Sequence, residues 1–129
     1  MDNESVRTYC LSFPHVTEEI LWGADLVFKI GGKMFAVIGL DAGSDHCMSL
    51  KATPEKFAEL TERNGIFPAP YAARYHWVAL ERFDALPDRE LKELLRIAYG
   101  LVHDKLPART KRQLDTNTPA PPAKKRSRR

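Results

Sequence analysis

The stretch Gly65-Ile66-Phe67-Pro68-Ala69-Pro70-Tyr71-Ala72-Ala73-Arg74-Tyr75-His76-Trp77-Val78-Ala79-Leu80 carries a proline-stiffened loop directly into an alternating strand. From Tyr75 the side chains divide by parity, Tyr75, Trp77 and Ala79 on one face and His76, Val78 and Leu80 on the other, as a strand between two different surroundings requires. Pro68 and Pro70 remove two backbone donors and exclude a helix through the loop. A lone strand needs neighbours, and the flanking text supplies them.

Upstream, Thr53-Pro54-Glu55 opens a helix: the hydroxyl can accept from an early N–H, proline is tolerated at the first helical position, and glutamate complements the dipole. Phe57 and Leu60 then face inward, and Gly65 stands where a left-handed residue would close the helix. Earlier still, Leu26, Phe28 and Ile30 alternate with Val27 and Lys29. Gly31-Gly32 offers the positive φ angles of a two-residue hairpin, and Lys33 to Leu40 returns. That return strand is apolar on both faces, Met34, Ala36 and Ile38 on one and Phe35 and Val37 on the other, which predicts a central strand covered on each side. Asp41-Ala42-Gly43-Ser44-Asp45 forms a turn and His46 to Lys51 a further strand, while Glu18 to Trp22 is short and ambiguous. Neighbours joined by such short turns form an antiparallel meander.

Two helices complete the fold. Val6, Tyr9, Cys10 and Phe13 share one face of a first helix, capped by Asp2 or Asn3 and ended by Pro14. Leu91, Leu94, Leu95, Ala98, Leu101 and Val102 keep a 3.6-residue period from an Asp88 start to a Pro107 stop. The class predicted is α+β, an antiparallel sheet packed against helices. Residues 1–112 form the domain. Residues 113–129, Pro-rich and then basic, lack the apolar content of a core and are expected to be a disordered tail.

At 129 residues the chain can bury one core without staples. Its longest apolar run, around Met34 to Leu40, is far short of the ~20 residues of a membrane span. The N-terminus opens on Asp2 and Glu4 rather than a basic leader and apolar block, so no membrane association and a cytoplasmic location are expected. Cys10 and Cys47 belong to no metal-ligand pattern and are expected to be reduced and buried. The net charge of +3 hides an asymmetry: residues 109–129 carry eight cations against Asp115, leaving residues 1–108 with twelve basic and sixteen acidic groups, a net of −4. The basicity belongs to the tail.

Several phrases are more particular. Tyr9-Cys10-Leu11-Ser12-Phe13-Pro14, Gly32-Lys33-Met34-Phe35-Ala36, Leu50-Lys51 before Pro54-Glu55, Gly65 with Pro68, His76-Trp77-Val78, and Leu106-Pro107 after Tyr99 follow one another in an order that resembles the MmcQ/YjbR family over roughly residues 2–112. The resemblance implies a frataxin-like or secretion-chaperone-like sandwich, described as a double wing, and a DNA-binding role. It places the family's strand-opening lysine on Lys33, the lysine before the second helix on Lys51, and a signature on Pro68, His76 and Trp77. The loop departs from the Pro-Ala-Tyr-His-Met-Asn-Lys pattern of many members, since Pro68 to Arg74 keeps one cation but lacks the histidine and asparagine.

Nucleic acid is held by cations on phosphates and by aromatic rings under bases. Lys29, Lys33, Lys51 and Arg74 are the candidate contacts of the folded part, with Tyr71 and Tyr75 near them in sequence; the bland alternative is that the lysines only solvate a sheet face and that Tyr75 and Trp77 are core. Lys124, Lys125, Arg126, Arg128 and Arg129 are the candidates of the tail, either as non-specific phosphate contacts or as a solubilising end. With Arg109, Lys111 and Arg112 also engaged, the salt slope on duplex DNA would be about −7. The alternative function is a protein-interaction or chaperone-like module with Pro68 to Arg74 as the partner site. No catalytic, metal or cofactor pattern is found. His46 beside Asp45 and His76 beside Tyr75 match no acid–base constellation, and the Asp41 to Asp45 turn lacks the spacing of a calcium loop.

Overall fold

The computed structural model describes residues 1–41 and 43–116. Helix α1, Asn3–Leu11, starts at a reciprocal cap in which the Ser5 N–H donates to Asp2 Oδ1 at 2.8 Å and the Asp2 N–H to Ser5 Oγ at 2.9 Å. Strands β1 (Thr17–Leu21), β2 (Asp25–Ile30), β3 (Lys33–Gly39) and β4 (Met48–Lys51) follow, then α2 (Pro54–Leu60), β5 (Ile66–Pro68), β6 (Trp77–Leu80), α3 (Asp88–Asp104) and α4 (Ala108–Thr116). The six strands form one antiparallel sheet in the order β1-β2-β3-β4-β6-β5. The fold is α+β. As expected, Thr53 caps α2, its hydroxyl accepting from the Lys56 N–H at 3.1 Å, and Gly31 and Gly32 take φ of +61° and +83° in the β2–β3 hairpin.

All the helices contribute to one apolar core on one face of the sheet. Val6 and Cys10 of α1, Leu60 of α2, and Leu91, Leu94, Leu95, Ala98 and Val102 of α3 pack there against Phe28, Ile30, Ile38, Leu50, Val78 and Leu80, with Leu114 of α4 at the margin. The expectation that β3 is covered on each side is therefore corrected. Its parity is corrected too, because a bulge interrupts the β2–β3 ladder: Phe28 opposes Ala36 and Lys29 opposes Met34, leaving Phe35 as an extra residue. Phe35, Ala36 and Ile38 are buried together in the core, while Met34 and Val37 turn to the opposite face. The Phe35 ring meets Tyr99 of α3 edge-on at 5.6 Å and Phe13 at 6.2 Å, and Phe13 lies 4.9 Å from Tyr99. Such pairs are each worth about 0.5–1.5 kcal/mol beyond their buried area, so one aromatic cluster docks the end of α1 and the middle of α3 on β3.

Four further differences from the sequence expectations shape the molecule. Helix α2 ends at Leu60 with Thr61 as its cap, and Gly65 (φ +85°) acts later, turning the chain into β5 while its carbonyl accepts from the Glu81 N–H at 2.8 Å. Ile66–Pro68, read from sequence as loop, is an edge strand paired with β6. Residues Ala73–Tyr75 form a 3-10 turn and His76 sits at φ +67°, so the strand begins at Trp77 and not at Tyr75. Finally, a helix not expected from the sequence, α4, follows Pro107; residues 117–129, which hold most of the tail expected at 113–129, lie outside the described residues.

The turn between α3 and α4 is seated on the β2–β3 hairpin. A Cβ placed on Gly31 would stand 2.7 Å from Leu106 Cδ1 and 3.1 Å from Thr110 Cγ2, whereas one on Gly32 would meet nothing within 4 Å. Both cysteines are free, and burial pushes the Cys10 thiol up to about 12, leaving it an inert core residue.

Gly31→Ala should cost more stability than Gly32→Ala. Both bear the left-handed penalty of about 1–2 kcal/mol, but only Gly31→Ala also drives a methyl into Leu106, adding about 1 kcal/mol; equal losses in urea unfolding would show that the hairpin is not seated as described. Phe35→Ala should cost about 3–5 kcal/mol and Met34→Ala under about 1 kcal/mol. The reverse order in the same unfolding series would place the bulge elsewhere.

Candidate functional site

The sheet face away from the helices is left partly open, with Met34 36% exposed on it. Cross-strand register puts Lys29 beside Met34, Val27 beside Val37, Val37 beside Ser49, Ser49 beside Ala79, Lys51 beside Trp77, and Phe67 beside Ala79 on this face. Trp77 is 6% exposed. It belongs not to the main core but to a small cluster with Ala69 and Ala79, backed by Val37, Phe67 and Ala72. The loop after β5 folds back to cover it, with the Ala69 N–H donating to the Trp77 carbonyl at 3.0 Å and the Trp77 N–H to the Ala72 carbonyl at 3.3 Å.

Beside this covered patch the sheet forms the floor of a cleft of about 660 Å³. Met34, Val37 and Trp77 lie along it, and Trp22 from the β1–β2 turn and Tyr71 from the loop project as its walls. Trp22 is 69% exposed and Tyr71 fully so. Each also holds a left-handed backbone, φ +53° and +66°, a conformation costly for a bulky side chain. Asp25, His46 and Ser49 are the polar groups of the cleft. His46 is steadied by Asp45, its Nδ1 lying 2.8 Å from Asp45 Oδ1, and by the Phe67 ring at 5.8 Å.

A second, smaller and more open groove of about 310 Å³ lies toward the α3–α4 turn, and Met34 and Trp77 line both. Its rim carries Lys33 from the start of β3, Lys51 from the end of β4 and Lys105 from the end of α3, around Tyr75. None of the three lysines pairs with a carboxylate among the described residues. Lys51 Nζ donates to the Tyr75 carbonyl at 3.0 Å, and burial, with a smaller push from Lys105, holds its ammonium below the usual lysine range. Arg74 packs on the Tyr75 side chain, its guanidinium 4.9 Å over the ring and donating to the Tyr75 hydroxyl at 2.7 Å. Cations that repel one another beside exposed rings form a surface suited to an anion with a flat apolar part.

Of the four folded-part cations picked from sequence, the fold brings Lys33 and Lys51 to one groove, and a third, Arg74, packs on Tyr75, which lines that groove. The fourth, Lys29, lies next to Met34 but is held by Glu19 at 2.5 Å. Lys124, Lys125, Arg126, Arg128 and Arg129 lie outside the described residues. Pro68 ends β5 at the sheet edge. His76 faces away from the lysines, its ring 5.5 Å from Phe57 and its carbonyl accepting from the Ala52 N–H at 2.9 Å. Sequence reasoning missed Lys105, Trp22 and Met34. Trp22 left a signal, a large aromatic directly before Gly23 in a turn; Lys105 left none, because only the seating of Leu106 beside Gly31 brings the α3–α4 turn to the groove that Lys33 lines. The described residues contain no group of metal-ligating side chains and no helix long and apolar enough to cross a membrane.

Comparison with known proteins fits this architecture. The chain superposes on the crystal structure of the Deinococcus radiodurans protein DR2400, a DUF419 domain, with a TM-score of 0.75 and 30% identity over 87% of this chain and 86% of that one. A Pseudomonas syringae protein shares the fold, with a TM-score of 0.64 at 20% identity over 79% of this chain and 99% of that one. No curated protein matches. The YjbR family model matches residues 11–101, well over half of the chain, and the protein belongs to the YjbR family.

Proposed function

We propose that this protein binds DNA across the open face of its sheet, the double-wing role suggested by its family resemblance, without catalysing a reaction. Lys33, Lys51, Lys105 and Arg74 contact phosphates, and Lys124, Lys125, Arg126, Arg128 and Arg129 add affinity that does not depend on sequence. The observation that carries the proposal is the groove in which Lys33, Lys51 and Lys105 converge with no acid partner among the described residues. Lys51 and Lys105 repel one another at this groove, and an anion bound there relieves that repulsion. Lys29, already engaged by Glu19, contributes less. The cytoplasm is the proposed setting.

A second function, a protein-interaction module, is favoured by a different observation. The cleft beneath the Pro68 to Arg74 loop is mostly apolar and walled by exposed rings, as a surface for a partner's apolar side chains would be.

Titration of a fluorescent 20-base-pair duplex with the full chain distinguishes the two. Replacing Lys33, Lys51 and Lys105 together by Gln should weaken binding and flatten the plot of log K against log salt by about 0.9 for each phosphate no longer neutralised. Replacing the five cations of residues 124–129 should flatten it further. If only the tail variant changes binding, the sheet is not the DNA surface and the protein-interaction function gains. Affinity for the unaltered chain should also fall as pH is raised toward the usual lysine range, with Lys51 losing its proton first because its free-state pKa is lowered; Lys51→Gln should remove that early loss.

A further inference from the structure

We infer that the preferred DNA is single-stranded, with an unpaired base lodged in the cleft between Trp22 and Tyr71 while its phosphates lie on the lysine groove. This rests on the DNA-binding function proposed above and names the form of DNA that the same surface accepts.

Three features of the face support it. The two clefts share Met34 and Trp77, so cations and aromatic walls belong to one continuous surface. A duplex presents phosphates outward and keeps its bases stacked inside, so duplex binding would use the lysines and leave the aromatic cleft empty. A single strand offers both parts at once, phosphate for the cations and a free π-face for the rings.

The cleft also sorts the two parts by charge. Its walls are apolar, and the carboxylate of Asp25 stands in it with the Ser49 hydroxyl and the His46 ring. Asp25 repels phosphate but can accept from the N–H groups on a base edge. Lys33, Lys51 and Lys105 stand in the neighbouring groove, where phosphate is attracted. An apolar peptide would satisfy the rings but would leave the lysines unanswered.

The walls themselves are the third feature. Trp22 and Tyr71 are two of the four non-glycine residues with positive φ, and they are the two most exposed large apolar side chains of the described chain. Neither exposure nor a left-handed backbone stabilises the fold, so at both positions a large aromatic is held against the preference of the free protein. A stacking role accounts for both costs together.

The test uses the full chain with a 20-mer of deoxythymidine, a 20-mer of uridine and a 20-base-pair DNA duplex. The unaltered chain should bind the deoxythymidine 20-mer at least about tenfold more tightly than the duplex, with quenching of Trp22 fluorescence. Trp22→Ala and Tyr71→Ala should each weaken single-strand binding by about five- to a hundredfold, the range for loss of one stacked base, and weaken duplex binding by much less. Tyr71→Gly should lose the same affinity while its Tm stays equal or rises, since glycine accepts the left-handed backbone and the ring it removes lies in solvent. Equal affinity for single strand and duplex, or aromatic variants that leave single-strand binding intact, would overturn the inference while lysine-dependent duplex binding still upheld the DNA-binding function. Tighter binding of the uridine 20-mer would overturn the assignment to DNA, and no binding of any probe would overturn both proposals.

Discussion

One extra residue in β3 organises the molecule. By interrupting the ladder between Phe28 and Lys29, the bulge sends Phe35 and Ala36 to the same side, so that Phe35 can meet Phe13 and Tyr99 and fix α1 and α3 against the sheet. The same step turns Met34 outward. Without it the strand would either bury Met34 and expose a phenylalanine, or lose the aromatic cluster that docks two helices. The inner core and the outer binding face are therefore two results of one irregularity, and bulges commonly re-aim side chains near functional surfaces in this way.

The second constraint is a close approach. Gly31 has no side chain, and Leu106 and Thr110 occupy the space one would need. This seats the α3–α4 turn on the hairpin and puts Lys105 on the groove that Lys33 also lines. Two segments far apart in sequence thereby contribute to one cationic rim, and α4 follows directly after it. The folded part is net acidic over residues 1–108, so its attraction for a polyanion is local, produced by where three lysines are placed and not by total charge.

Much of this was legible from the residues. Helical stripes, the Asp2 and Thr53 caps, the Gly31-Gly32 hairpin and the Trp77 to Leu80 alternation rest on local chemistry, and local chemistry can be read in order. The bulge was not legible, because Met34, Phe35 and Ala36 are all apolar and only packing against Tyr99 decides which two turn inward. Ile66–Pro68 was hidden by its shortness and its proline, and α4 by its polar composition, which leaves no stripe to find. At the site, Lys33, Lys51 and Arg74 could be picked as cations on strand ends and a loop. Their company, Lys105 and Trp22, depends on tertiary approach and on a turn whose aromatic has no local reason to be there.

The two ends of the sheet differ from its face. At one edge β5 is three residues long and finishes in Pro68, which has no N–H to offer an incoming strand. At the other, β1 carries Glu18 and Glu19, tied by salt bridges to Arg7 and Lys29. Short strands, proline and charge are the means by which sheets resist extension by a foreign backbone. Growth of the sheet sideways, whether by a partner's strand or by a copy of itself in an aggregate, is disfavoured at both margins, and recognition is left to side chains lying across the surface.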